Sequence, residues 1–227
     1  MGIIAASRLR GTGINPLFQN SEAYYKCDGS TSGVLLDSRN TFNGTLNGGI
    51  TQGVTGKIAS AVESDGTSMS YLGIPSDTFD QNNFSLSFWM YYSTGFNFFR
   101  VISRGNNNGG FSIIFNTKVA VSFFSNTDFL REDSDLVSNS FNHIIIQKSQ
   151  GGISIYINNN LKISGTLDYT DYDIGSDLCF GVLINTNRSV RADSSNTFLV
   201  DEIDIRKEQY TQQQRDELYN NGNGTTI

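Results

Sequence analysis

Short runs of alternating apolar and polar residues recur along the chain, and they predict a protein built from strands. In FSLSFWMYY (Phe84–Tyr92), Phe84, Leu86, Phe88 and Met90 alternate with Ser85, Ser87, Trp89 and Tyr91. Successive strand side chains point to opposite faces, so this run has one apolar side. Similar runs cover Tyr24–Asp28, Lys57–Glu63, Ser68–Ile74, Phe98–Arg104, Phe111–Asn116, Val119–Ser125, Asn142–Lys148, Ile153–Asn158 and Leu178–Ile184. Gly and Asn punctuate them; SQGG (Ser149–Gly152) and NNN (Asn158–Asn160) read as hairpin turns. Many short strands joined by such turns predict an all-β sandwich or barrel. Thr186–Asn196 and Asp168–Ser176 read as longer loops.

The C-terminal end carries a last strand and a helix. In FLVDEIDIR, strict alternation puts Phe198, Val200, Glu202, Asp204 and Arg206 on one face, with Leu199, Asp201, Ile203 and Ile205 on the other. Thr211 with Gln214 forms a capping box, and Gly222 stands where a C-cap glycine belongs, so a helix is predicted over Gln212–Asn220.

Residues 1–20 break this pattern. They hold Ile3, Ile4, Leu9, Ile14, Leu17 and Phe18 without a period, Arg8 and Arg10, and no acid. They read as a docking arm, anchored by Ile3, Ile4, Arg8 and Arg10, on a sandwich spanning residues 21–227. The alternative is a plain unstructured terminus. On the arm reading, removing residues 1–20 leaves the sandwich folded.

Composition narrows the function classes. Acids outnumber bases, 22 against 16, and the net charge of −6 argues against nucleic acid or an anionic membrane as partner. No apolar run reaches transmembrane length, and MGIIAASRLR is a poor signal peptide, with its arginines after a short apolar stretch. Two cysteines, Cys27 and Cys179, are too few to staple the domain and read as buried reduced thiols.

Several segments, in order, resemble the laminin-G-like jelly roll of the concanavalin A-like lectin and glucanase superfamily. They are AYYKCDG (Ala23–Gly29), DSRNTFNGTLNGG (Asp37–Gly49), GKIASAVESDG (Gly56–Gly66), FSLSFWMYY, FNHIIIQ (Phe141–Gln147), ISIYINNN (Ile153–Asn160) and the VDEIDIR ending. The resemblance implies a two-sheet antiparallel jelly-roll sandwich with one short C-terminal helix. Separately, GIIAASRLRG is similar to the starts of some predicted phage virion proteins. That likeness implies a product made in the host cytoplasm and carried on a virion. Its partners would be other virion proteins or a second copy of the chain, met through the arm.

The candidate chemistry follows from the superfamily resemblance. Related glucanases use E-x-D-x-x-E or E-x-D-x-E on a strand, two glutamates flanking the scissile bond. Glu202 and Asp204 match the first two positions, but Arg206 and Lys207 stand where the third acid is needed. No catalytic residue is therefore assigned. His143, the single histidine, lies in a strand at the family's own His position and reads as a satisfied structural residue. The resemblance also implies one structural calcium ion near Asp65 and Asp201; the alternative for Asp65-Gly66 is a plain turn. Sugar binding needs an aromatic face beside polar groups, and the exposed candidates are Asn106, Asn108, Tyr169 and Tyr172. Trp89 is either core or platform. The reading is a non-catalytic lectin-like virion protein with a cell-surface glycan as ligand. The alternative is a bacterial carbohydrate-binding module, and an active glycosidase ranks below both.

Overall fold

A computed structural model describes residues 16–29, 31–67, 70–75, 78, 83–93, 99–106, 109–115, 118–123, 129–133, 135–149, 152–166, 177–181, 183–184, 190–191 and 197–227. Helix α1 (Pro16–Gln19) leads into strands β1 (Ala23–Tyr25), β2 (Val34–Leu35), β3 (Gly44–Asn47), β4 (Ile50–Thr55), β5 (Ser60–Ser64) and β6 (Tyr71–Ile74). The central run comprises β7 (Asn83–Tyr92), β8 (Phe99–Asn106), β9 (Gly109–Phe115), β10 (Lys118–Phe123), β11 (Phe129–Asp133), β12 (Ser140–Ser149), β13 (Gly152–Ile157) and β14 (Asn160–Thr166). The chain closes with β15 (Leu178–Phe180), β16 (Leu183–Ile184), β17 (Val190–Arg191), β18 (Phe198–Arg206) and helix α2 (Gln212–Tyr219).

Two antiparallel sheets form a sandwich, as the alternation predicts. The first sheet runs β14-β13-β12-β7-β18-β5-β4, with β1 also pairing β18. The second runs β11-β10-β9-β8-β15-β6-β3-β2. The predicted apolar side of β7 faces the inter-sheet core. Phe84, Leu86, Phe88 and Met90 join Ile144, Ile146, Ile203 and Ile205 there. They meet Val101, Ile102, Ile113, Phe115 and Phe180 from the second sheet, and Phe88 meets Phe180 edge-on at 5.2 Å. Each fully buried side chain of this kind contributes about 1.5–3 kcal/mol.

The stretch read as one strand over Leu178–Ile184 is two. Gly181 interrupts it at φ +89, where a β-carbon would sit 2.6 Å from the Phe198 ring. Glycine alone satisfies both the backbone angle and the close approach. Cys27 and Cys179 are free, buried thiols, as expected. The Thr211–Gln214 capping box is present, but the left-handed residue ending α2 is Asn220, not Gly222. Asparagine tolerates that conformation because its short side chain bonds locally; here its Nδ2 donates to the Gly224 carbonyl at 2.9 Å.

The division at residue 20 also moves. Leu17 of α1 is buried with Ile145, Tyr210 and Leu218 in a second, smaller core on the outer face of the first sheet. Phe18 packs edge-on against Tyr24, and its carbonyl accepts a hydrogen bond from Arg39 Nη1 at 2.8 Å. Residues 16–20 therefore belong to the sandwich. Ile3, Ile4, Arg8 and Arg10 lie outside the described residues.

Candidate functional site

Strand β18 does not alternate strictly. Asp201 pairs with Trp89 and Asp204 with Ser87, so three steps on β18 face two on β7. The extra residue forms a bulge, with Glu202 at φ +51. Its effect is to flip the phase. Phe198, Val200, Ile203 and Ile205 all face the inter-sheet core, while Asp201, Asp204 and Arg206 face outward. The face assignment made from strict alternation is corrected accordingly.

On that outer face the charged groups are covered and engaged. Asp204 Oδ2 accepts from Arg206 Nε at 2.6 Å and from the Tyr210 hydroxyl at 2.8 Å. Arg206 Nη2 donates to the Leu17 carbonyl at 2.5 Å, and its guanidinium lies 4.4 Å over the Tyr210 ring. Glu202 is hydrogen-bonded by the Tyr24 hydroxyl and accepts from Thr226 Oγ1 at 3.1 Å. The Ile227 amide in turn donates to Tyr24 at 3.1 Å, so the C-terminal tail closes over the glutamate.

Trp89 belongs to the same covered layer, not to the inter-sheet core and not to an exposed platform. It is 2% exposed, stacked on His143 at 4.8 Å and Tyr219 at 6.0 Å. Lys57 Nζ sits 4.9 Å over its ring. The tail passes so close that a β-carbon on Gly224 would lie 3.2 Å from the indole nitrogen. His143 Nε2 shares a hydrogen bond with Ser87 Oγ at 2.8 Å, while Nδ1 has no partner. Burial pushes the imidazole down to about 3, so it is neutral. A Ser–His pair without an orienting acid, sealed under a helix, lacks the elements of a nucleophilic triad.

Burial also pushes Asp201 up to about 7 and Glu202 up to about 8, against hydrogen bonds from the Ile58 amide and Thr226 respectively. Both groups titrate higher folded than unfolded. The stability they contribute is complete below the ordinary carboxylate range and is lost as pH rises through the folded values. Thermal melts should therefore show the domain losing on the order of a few kcal/mol between about pH 5 and pH 9. Glu202→Gln, which mimics the protonated acid, should flatten that decline and change little at pH 5. Parallel curves for parent and variant would refute it.

The two carboxylates assigned to calcium do not meet. Ser64 pairs with Phe198 and Val62 with Val200, so Asp65 lies level with position 197 and Asp201 four residues further along. At the rise of a strand that is about 13 Å, whereas two oxygens on one calcium lie within about 5 Å of each other. Asp65 instead organises its turn, accepting from the Thr67 amide at 2.9 Å and Ser70 Oγ at 2.7 Å. Asp201 Oδ2 accepts from the Ile58 amide at 2.8 Å. Among the described residues no group of three or more His, Cys, Asp or Glu is placed to hold a metal ion. Asn106 ends β8 opposite Gly109. Asn108, Tyr169 and Tyr172 lie outside the described residues.

Two of the open depressions on the described surface bear on ligand binding. A cleft of about 420 Å3 lies where α1, the loop after β2 and the end of β18 converge. Its charged groups are already engaged: Lys207 pairs with Glu22 at 3.0 Å, Asn20 donates to Glu208 at 3.2 Å, and Arg39 donates to the Phe18 carbonyl. A groove of about 270 Å3 lies on the outer face of the first sheet across β12, β13 and β14. Serines, glutamines and glycines without a motif line it, so only strand register reveals it.

Sandwich, covered acid strand and open polar groove together define a jelly roll of the concanavalin type. Residues 65–214, about two thirds of the chain, match the Laminin_G_3 model, described as concanavalin A-like lectin/glucanases superfamily. The chain belongs to that family. None of the curated proteins matches it. Among solved structures, it is similar to the receptor binding domain of botulinum neurotoxin C/D mosaic serotype (TM-score 0.68, 16% identity, 89% of this chain, 51% of that one). It is also similar to the binding domain of Paraclostridial Mosquitocidal Protein 1 (0.67, 17%, 90% and 52%). The chain thus spans about half the length of these toxin domains. Domain 4 of AbnA, a GH43 extracellular arabinanase from Geobacillus stearothermophilus, was solved in complex with arabinotriose. It matches end to end (0.67, 19%, 91% and 98%). At such identities the likeness establishes the fold.

Proposed function

We propose that this chain is a non-catalytic, lectin-like glycan-binding module carried on a bacteriophage particle. One observation carries the non-catalytic reading. The strand that would hold a glucanase acid pair is 5% or less exposed at Glu202, Asp204 and Arg206, and each of the three is engaged by the chain's own residues. A retaining glycosidase needs two carboxyl groups about 5–5.5 Å apart and open to substrate, one of them free to give and take a proton. Here Arg206 stands where a third acid is needed, and it neutralises Asp204. Family membership and the arabinotriose complex of AbnA domain 4 favour a glycan as ligand.

Incubation with β-glucan, galactan and arabinan should release no reducing ends, while immobilised glycans should retain the chain. Turnover that disappears in Glu202→Gln would overturn the reading. The virion placement rests on the likeness of the first residues to phage leaders. Deletion of residues 1–15 should abolish incorporation into particles and leave glycan retention intact. Normal incorporation of that deletion would reject the arm as the attachment, and absence of the full chain from particles would favour the carbohydrate-binding module without a virion role.

A further inference from the structure

We infer that the groove across β12, β13 and β14 is the glycan subsite, and that it takes a neutral oligosaccharide; this rests on the glycan-binding reading above. Strand register lays out its floor as two rows. Gln147, Ser154 and Ser164 are cross-strand neighbours in one row, and Ser149, Gly152 and Thr166 in the next. Adjacent strands lie about 4.8 Å apart, an interval close to the width of one sugar ring. The hydroxyls of Ser149, Ser154, Ser164 and Thr166 make no hydrogen bond to any described residue. They can exchange water for ligand hydroxyls in either donor or acceptor role, so recognition here rests on hydrogen bonds and not on the aromatic face expected from the sequence, since no aromatic among the described residues lines the groove.

Gln147 is fixed at the buried end of its row. Its Nε2 donates to the Tyr210 carbonyl at 3.3 Å, and its Oε1 accepts from Arg215 Nη1 at 3.3 Å. Such preorganisation lowers the entropy lost on binding. No residue lining the groove is charged, whereas the cleft beside α1 is lined by Glu22, Arg39, Lys207 and Glu208. A neutral ligand is therefore favoured: the groove offers no counter-charge to offset desolvation of an ionic one.

Gly152 supplies the second line of argument. It does not adopt a left-handed φ, and a β-carbon there would meet only the Ser149 carbonyl at 3.4 Å and the Gly165 carbonyl at 3.9 Å, ordinary contact. The fold itself does not require glycine, and glycine weakens a strand. Its lack of a side chain keeps the floor open, and close approach of a ligand to the backbone is one of the reasons a strand carries a glycine.

The test measures affinity of the full chain for arabinotriose, maltotetraose and chitotetraose, and for acidic oligogalacturonate and sialyllactose, by calorimetry. The parent should bind at least one neutral probe. Gly152→Val and Ser164→Arg should each weaken it at least tenfold with an unchanged or higher Tm, while Lys207→Ala in the other cleft should not. Binding confined to acidic probes, or equal binding by parent and both groove variants, would reject the groove and leave the glycan-binding reading standing. A parent retained by no probe, and by no immobilised glycan, would reject both.

Discussion

Arg206→Ala is expected to lower the stability of the domain by about 3–5 kcal/mol, the range seen when one partner of a buried ion pair is removed. Arg206 and Asp204 are both 1% exposed. The substitution leaves the Asp204 carboxylate buried without its cation and the Leu17 carbonyl without its donor. For a domain of this size the loss corresponds to a fall in Tm on the order of 10 °C. Two further results distinguish this cause from lost packing. The deficit relative to the parent should shrink on acidification, because Asp204 can then take up a proton. Arg206→Lys should recover only part of the loss, since an ammonium cannot serve the carboxylate and the carbonyl in the same fork geometry. A pH-independent deficit would assign the effect to volume alone, and full recovery with lysine would show that the fork geometry contributes nothing.

The second large effect separates two deletions that differ by five residues. Removing residues 1–20 should cost roughly 5 kcal/mol more than removing residues 1–15 alone. Loss of a buried leucine accounts for about 2–5 kcal/mol of this. Stripping the Leu17 carbonyl from a buried guanidinium adds about 1–3 kcal/mol. Leu17 sits in the small core with Ile145, Tyr210 and Leu218, and Arg206 donates to its carbonyl. Compositional reasoning expected the sandwich to fold without all twenty residues. Equal midpoints for the two deletions would restore that expectation and show that α1 adds nothing to stability.

The sandwich was legible because its signal is periodic and local. Phe84, Leu86, Phe88 and Met90 alternate, and all four face the inter-sheet core. The capping box at Thr211 is equally local and equally plain. What escaped depends on non-local partners. FLVDEIDIR contains a clue to its bulge, because Val200 and Ile203 are three apart and cannot share a face of a regular strand. Strict alternation overrode it and put Glu202, Asp204 and Arg206 with the wrong neighbours. The separation of Asp65 from Asp201 escaped for a related reason: a family pattern puts them near each other, but register holds them apart. Leu17 looked like an arm residue because nothing in residues 1–20 shows the core it joins. The groove had no sequence signature at all. Its serines and glycines come from three strands, and only pairing makes them one surface.

The mutual stacking of Trp89, His143 and Tyr219 also equips the molecule with an optical reporter. The chain has one tryptophan beside 10 tyrosines, so its emission under selective indole excitation comes from a single, dry site. That site is roofed by α2 and the tail rather than by the opposite sheet. Peeling away of the last residues would wet the indole and redden its fluorescence while the strands stay paired. Departure of the emission curve from the far-ultraviolet dichroism curve during a melt would then time the lifting of the roof against the opening of the sandwich.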